Sequence, residues 1–209
     1  MVRTNGDYYF VHYANLLKNG GIATDMSPAY ASLSEETCRK IMSCFESQGI
    51  LFRAVYIMRD PVKRAVSHFT MYRFAFLEGT RWFEQRLGVP RDVGFNQAFR
   101  PFIRMEEQKA RSDYKKTIDM LSAVYPEEQR MFALFEEMIK GVKLRELSDF
   151  LGVSYRPEAI TTSPNPRVAF DLDEEVLQEC AQLYRPTYEA MAKMFPQTET
   201  LWSGWKYLR

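Results

Sequence analysis

The fold turns on the stretch Ala54-Val-Tyr-Ile-Met58-Arg59-Asp60-Pro61-Val-Lys-Arg64-Ala-Val-Ser67-His68-Phe69. Its opening is a short apolar run of β-branched and aromatic residues, the composition of a strand buried in a parallel sheet. The run stops at Arg59-Asp60-Pro61. Proline has no amide hydrogen and a φ suited to a first helical position, so Pro61 opens a helix with Asp60 as its N-cap. Val62, Ala65, Val66 and Phe69 then recur at helical spacing. The expected unit is strand, tight turn, helix. A helix start offers unpaired N–H groups and a positive dipole end, which suits an anion. Arg59 stands just before that opening and Ser67 two turns into the helix. A guanidinium fork and a hydroxyl can both reach one phosphate. The residues alone equally allow an ordinary strand–helix turn in which Arg59 pairs with a surface carboxylate.

Arg59-Asp60-Pro61-x-x-Arg64-x-x-Ser67 resembles the 3′-phosphate motif of the sulfotransferases that use PAPS (3′-phosphoadenosine 5′-phosphosulfate). The resemblance implies that Arg59 and Ser67 hold the 3′-phosphate of PAPS. A second stretch, Ile22-Ala-Thr-Asp25-Met26-Ser27-Pro28-Ala29-Tyr30, reads as a brief strand over 22–27 ending in Ser-Pro. It is similar to the acidic residue followed by Ser/Thr-Pro-x-Tyr in bacterial and heparan-type members of that family. The resemblance implies that Asp25 is the general base that takes the acceptor's proton. Taken alone, Asp25 could equally cap the turn into Ser27-Pro28. A third likeness runs from Arg111-Ser-Asp-Tyr114 through the strand Arg130–Phe135 with its acidic ending Glu136-Glu137. It continues into a helix closed by Phe150-Leu151-Gly152. Arg167, in the Pro/Ser/Asn-rich loop 161–167, is by resemblance a second phosphate contact; its composition also fits an exposed loop arginine.

The remaining elements follow from local pattern. Ser32-x-x-Glu35 suggests a capping box before a helix that Gly49 ends. Residues 99–123 and 172–195 each read as helical, the latter one amphipathic helix with Val176, Cys180, Tyr184, Tyr188 and Met191 inward. His68 is expected to pack against a neighbour or to touch ligand. Residues 78–100 mix glycine, arginine and aromatics, which suits an acceptor rim or a solvated loop. Trp202 and Trp205 should pack back on the domain.

The chain has 209 residues and a formal charge of +1, which does not point to nucleic acid as a partner. Its three cysteines have no CxxC spacing, so neither a disulfide framework nor a zinc site is expected, and a cytoplasmic location is. No apolar run reaches the length of a membrane span. The family's 5′-phosphosulfate loop, Lys/Arg-x-Gly-Thr-Thr/Ser after a first strand, has no counterpart before Asp25. The fold expected is therefore α/β, a three-layer α/β/α domain over residues 1–209 with a parallel sheet of the P-loop-like sulfotransferase type, lacking its first β-α unit. The 22–27 and 54–59 strands would then be separated by a gap or would pair directly, and stability would fall below that of a full-length relative. PAPS is the expected co-substrate, no metal is implied, and the acceptor would be a carbohydrate or small molecule. The alternative is a non-catalytic or truncated nucleotide-binding module. A nucleotide kinase is disfavoured because GxxxxGK[ST] does not occur.

Overall fold

The computed structural model describes residues 6–71, 82–90, 93–160 and 172–209. In chain order the elements are α1 (Gly6–Leu16), α2 (Glu35–Glu46), β1 (Ala54–Met58), α3 (Pro61–Met71), α4 (Trp82–Leu87), α5 (Phe95–Arg104), α6 (Glu106–Ser112), α7 (Tyr114–Val124), β2 (Arg130–Leu134), α8 (Phe135–Met138), α9 (Leu144–Leu151), α10 (Glu174–Leu183), α11 (Arg185–Met194) and α12 (Thr198–Leu201). Short 3₁₀ helices occupy Pro28–Ser32 and Ser203–Tyr207, among others. The chain is mostly helical α/β, and β1 pairs with β2 in a two-stranded parallel sheet.

The strand–turn–helix unit forms where the sequence puts it, with β1 ending at Met58 and α3 starting at Pro61. Two expectations change. Residues 21–27 form no strand; the chain there is irregular until Ser27 caps the 3₁₀ turn, its Oγ accepting from Ala29 N at 3.2 Å. A lone extended segment with no neighbour leaves its backbone groups to water, so local Ser-Pro turn chemistry wins. Neither a gap nor direct pairing between 22–27 and β1 arises, and among the described residues the sheet has two strands rather than a broad parallel array. Residues 6–16, which carry no phosphate loop, are helical.

Helix boundaries shift for local reasons. Ser34, not Ser32, caps α2, accepting from Thr37 N at 3.2 Å. The helical span near 99–123 divides into α5, α6 and α7, which break at Met105 and Asp113. The span 172–195 is two helices, α10 and α11, divided at Tyr184, with Pro186 in the first turn of α11. Gly152 closes α9 with φ 72°, the left-handed conformation that glycine adopts without strain.

Contacts divide the chain into two units. The first comprises Met1–Tyr56 and Thr117–Met131, the second Ile57–Lys116 and Phe132–Arg209. The first is built on a chain of rings. Phe45 meets Tyr9, Phe10 and Tyr13 of α1 at centroid distances of 6.0, 5.1 and 5.9 Å. Phe52 stacks between Phe45 and Tyr125, beside the buried Cys38 and Val124. In the second unit, Phe69 of α3 meets Phe99 and Phe102 of α5, each at 5.2 Å. Helix α10 packs on α5, on α3 and on the 3₁₀ turn Ser203–Tyr207. Trp202 is buried and Trp205 half-buried, both against Tyr188.

Candidate functional site

The turn between β1 and α3 is governed by Asp60, which is fully buried. Its Oδ1 accepts from Val62 N at 2.9 Å and Lys63 N at 3.3 Å. Arg64 N donates to the Asp60 carbonyl at 2.8 Å. Pro61 has no N–H, so the first turn of α3 keeps no donor for an outside anion. The sequence-based expectation of unpaired N–H groups at this helix start is thus corrected: Asp60 is the anion there. The same carboxylate receives Tyr188 Oη at 2.6 Å, Gly204 N at 2.7 Å and Ser203 Oγ at 3.3 Å. The Asp60 N–H donates to Glu136 Oε1 at 3.2 Å, and Trp202 Nε1 donates to Glu136 Oε2 at 3.1 Å. Glu136 is buried as well. The Tyr188 phenol, buried against the Asp60 carboxylate and bonded to it, is pushed far above its ordinary pKa.

Arg59 is half-buried at the end of β1. Its guanidinium carbon lies 4.8 Å from the Phe135 ring centroid, a cation–π contact, and its carbonyl accepts from Tyr114 Oη at 2.7 Å. Ser67 is exposed on α3. Helical geometry puts it roughly 10 Å along the axis from the cap, on the same solvent face as the exposed Lys63. The structure therefore sets Arg59 and Ser67 on one strand–helix unit. Lys63, four residues before Ser67, is a cation the motif does not single out, although the i, i+4 spacing makes it legible.

His68 packs rather than facing outward. Arg111 Nη1 lies 3.0 Å from His68 Nε2, and Gln108 Oε1 lies 2.9 Å from Nδ1. An arginine only donates, so Nε2 accepts and Nδ1 carries the proton to Gln108. Burial lowers the His68 pKa, the Gln108 bond acts the other way, and the positive charges of Arg111 and Arg64 lower it further. Arg64 donates to Gln108 and, at 2.7 Å, to Ser112 Oγ.

No family model matches the chain, and no curated protein matches it. Among solved structures it is similar to a sulfotransferase from Alicyclobacillus acidocaldarius. The identity is 20%, the TM-score 0.47, and the likeness covers 77% of this chain and 59% of that one. The chain thus spans less than two thirds of that protein's length.

Asp25 lies in the first unit, in the irregular segment before the 3₁₀ turn Pro28–Ser32. Tyr9 Oη donates to its Oδ2 at 2.7 Å, and Tyr30 Oη donates to the same oxygen. Asp25 does not cap the Ser27-Pro28 turn; Ser27 does that itself. Both phenols are raised in pKa, first by burial and then by the bond to Asp25, Tyr30 to about 12. Oδ1 receives neither of these bonds, and the residue is exposed. No spacing rule joins Tyr9 to Asp25, so this contact was not legible. Arg167 lies outside the described residues. A surface hollow of about 420 Å³ between Arg104, Glu175, Glu179 and Leu183 includes none of the sequence-predicted residues.

Proposed function

We propose that the chain takes part in sulfuryl transfer from PAPS to a hydroxyl or amine of a carbohydrate or small-molecule acceptor. The observation that supports this best is the β1–turn–α3 unit. A half-buried Arg59 closes the strand, and Ser67 lies on the open face of the helix that follows, in the order of the sulfotransferase-like motif. With the backbone donors of α3 taken, the 3′-phosphate would be held by side chains: the Arg59 guanidinium, the Ser67 hydroxyl and the Lys63 ammonium. Arg167 is proposed as a further phosphate contact. In the transfer, the acceptor oxygen or nitrogen forms a bond to sulfur. The bond from sulfur to the bridging oxygen of the 5′-phosphate breaks, and 3′,5′-ADP leaves with that electron pair. The acceptor's proton is assigned to Asp25 Oδ1, the carboxylate oxygen not bonded by Tyr9 or Tyr30.

Arg59→Ala is expected to weaken 3′,5′-ADP binding roughly tenfold to hundredfold, the worth of a charge-assisted hydrogen bond. Unchanged affinity in calorimetry would remove the assignment. A second reading is a module that binds the nucleotide without catalysis. Transfer from labelled PAPS to a sugar panel separates the two.

A further inference from the structure

We infer that the segment Trp202–Gly204, with Tyr188, is the positioning device for the turn that carries Arg59. This rests on the proposed donor site for its functional meaning, and on geometry alone for its structural content. Two buried carboxylates meet at the turn, Asp60 within it and Glu136 from the first turn of α8, and their oxygens accept from neutral donors. A buried carboxylate is costly unless its oxygens are hydrogen-bonded or paired with an opposite charge. Helix α3 supplies Val62 N and Lys63 N. The others come from far along the chain: Tyr188 Oη, Ser203 Oγ and Gly204 N to Asp60, and Trp202 Nε1 to Glu136. The Asp60 amide closes the circuit by donating to Glu136. Arg59 is joined directly to Asp60, and Tyr114, which holds the Arg59 carbonyl, packs its ring on Trp202 at 6.0 Å. Both backbone sides of Arg59 are thus fixed by groups that touch Trp202–Gly204 or the carboxylates it binds.

Gly204 admits no side chain. A Cβ there would run into the Tyr188 hydroxyl, lie 2.8 Å from its Cζ and 2.9 Å from Asp60 Oδ1. Glycine at this position lets the backbone amide approach the carboxylate directly.

The test compares wild type with Gly204→Ala, Tyr188→Phe, Ser203→Ala and the double variant Gly204→Ala/Tyr188→Phe. Two readouts are taken: amide exchange at Val62, Lys63 and Arg64 by NMR, and 3′,5′-ADP affinity by calorimetry. Phe99→Leu, a core change on α5, serves as a control for general destabilisation. Exchange at the three amides is expected to quicken at least about tenfold in Gly204→Ala beyond the control. The double variant should recover part of this, since it removes the hydroxyl that the new methyl meets. Nucleotide affinity should fall in step with the exchange. Should Gly204→Ala fail to fold, Tyr188→Phe and Ser203→Ala carry the same comparison. Exchange no faster than in the control overturns the inference. Faster exchange in a protein whose wild type does not bind 3′,5′-ADP upholds the positioning device and removes the donor-site reading. Faster exchange with unaltered affinity overturns the link to Arg59.

Discussion

Asp60 behaves as a ligand that the chain has supplied to itself. Converting it to alanine leaves the first turn of α3, Tyr188 and Gly204 without an acceptor in a buried place. The cost should be about 3 kcal/mol or more, read as a drop in denaturation midpoint. At His68 the sign of the pH effect can be stated. Its folded pKa lies below the unfolded value of 6.5, so the folded protein takes up the proton less readily than the unfolded chain. Stability is therefore full above about pH 6.5 and is lost as pH falls below it, toward the lowered folded value. His68→Asn should flatten this dependence in denaturant titrations compared between about pH 5 and pH 8. Tyr30 offers a spectroscopic check on Asp25. Asp25→Asn removes the carboxylate, and the Tyr30 phenol should titrate below about 12 by ultraviolet absorbance, the share due to burial remaining. A midpoint that does not move would mean the phenol and carboxylate are not bonded in solution.

Among the elements, those written in local chemistry were legible. The apolar run 54–58, the Asp-Pro start of α3, Tyr114 at the head of α7, the strand at 130–134 and the glycine end of α9 all follow from residues within a few positions of one another. The 22–27 segment was misread because a strand needs a partner, and its composition does not say whether one exists. The cap of α2 was placed two residues early because Ser32 and Ser34 both precede acidic residues, and only the geometry shows which hydroxyl meets an amide. What local chemistry could not show is the convergence of Tyr188, Trp202 and Gly204 on Asp60, a contact across a sequence separation of 144 residues at its longest. At this scale Phe45 is the test of α1. It is 5% exposed and touches three rings of that helix. Phe45→Ala should cost about 3 kcal/mol, and amide exchange across 6–16 should rise with it.

Across the molecule, burial is uneven. Among the described residues, the large side chains most fully shut off from solvent belong to the second unit, Phe69, Phe99, Phe102, Tyr188 and Trp202 among them. The first unit leans on ring contacts, several of them with part-exposed partners. Native-state exchange should accordingly give lower protection to α1 and α2 than to α3, α5 and α10. Equal protection throughout would show that the two units open together.

The meeting of Gly204 with Asp60 also has a temporal side. At a synthesis rate of about 5–20 residues per second, the ribosome delivers Gly204 roughly 7–30 s after Asp60. During that interval the nascent chain holds an acid destined for the interior whose distant donors have not yet been made. The turn is therefore expected to become protease-resistant late, after translation passes residue 204, and pulse-labelled nascent chains stalled before that point should be cut near Asp60.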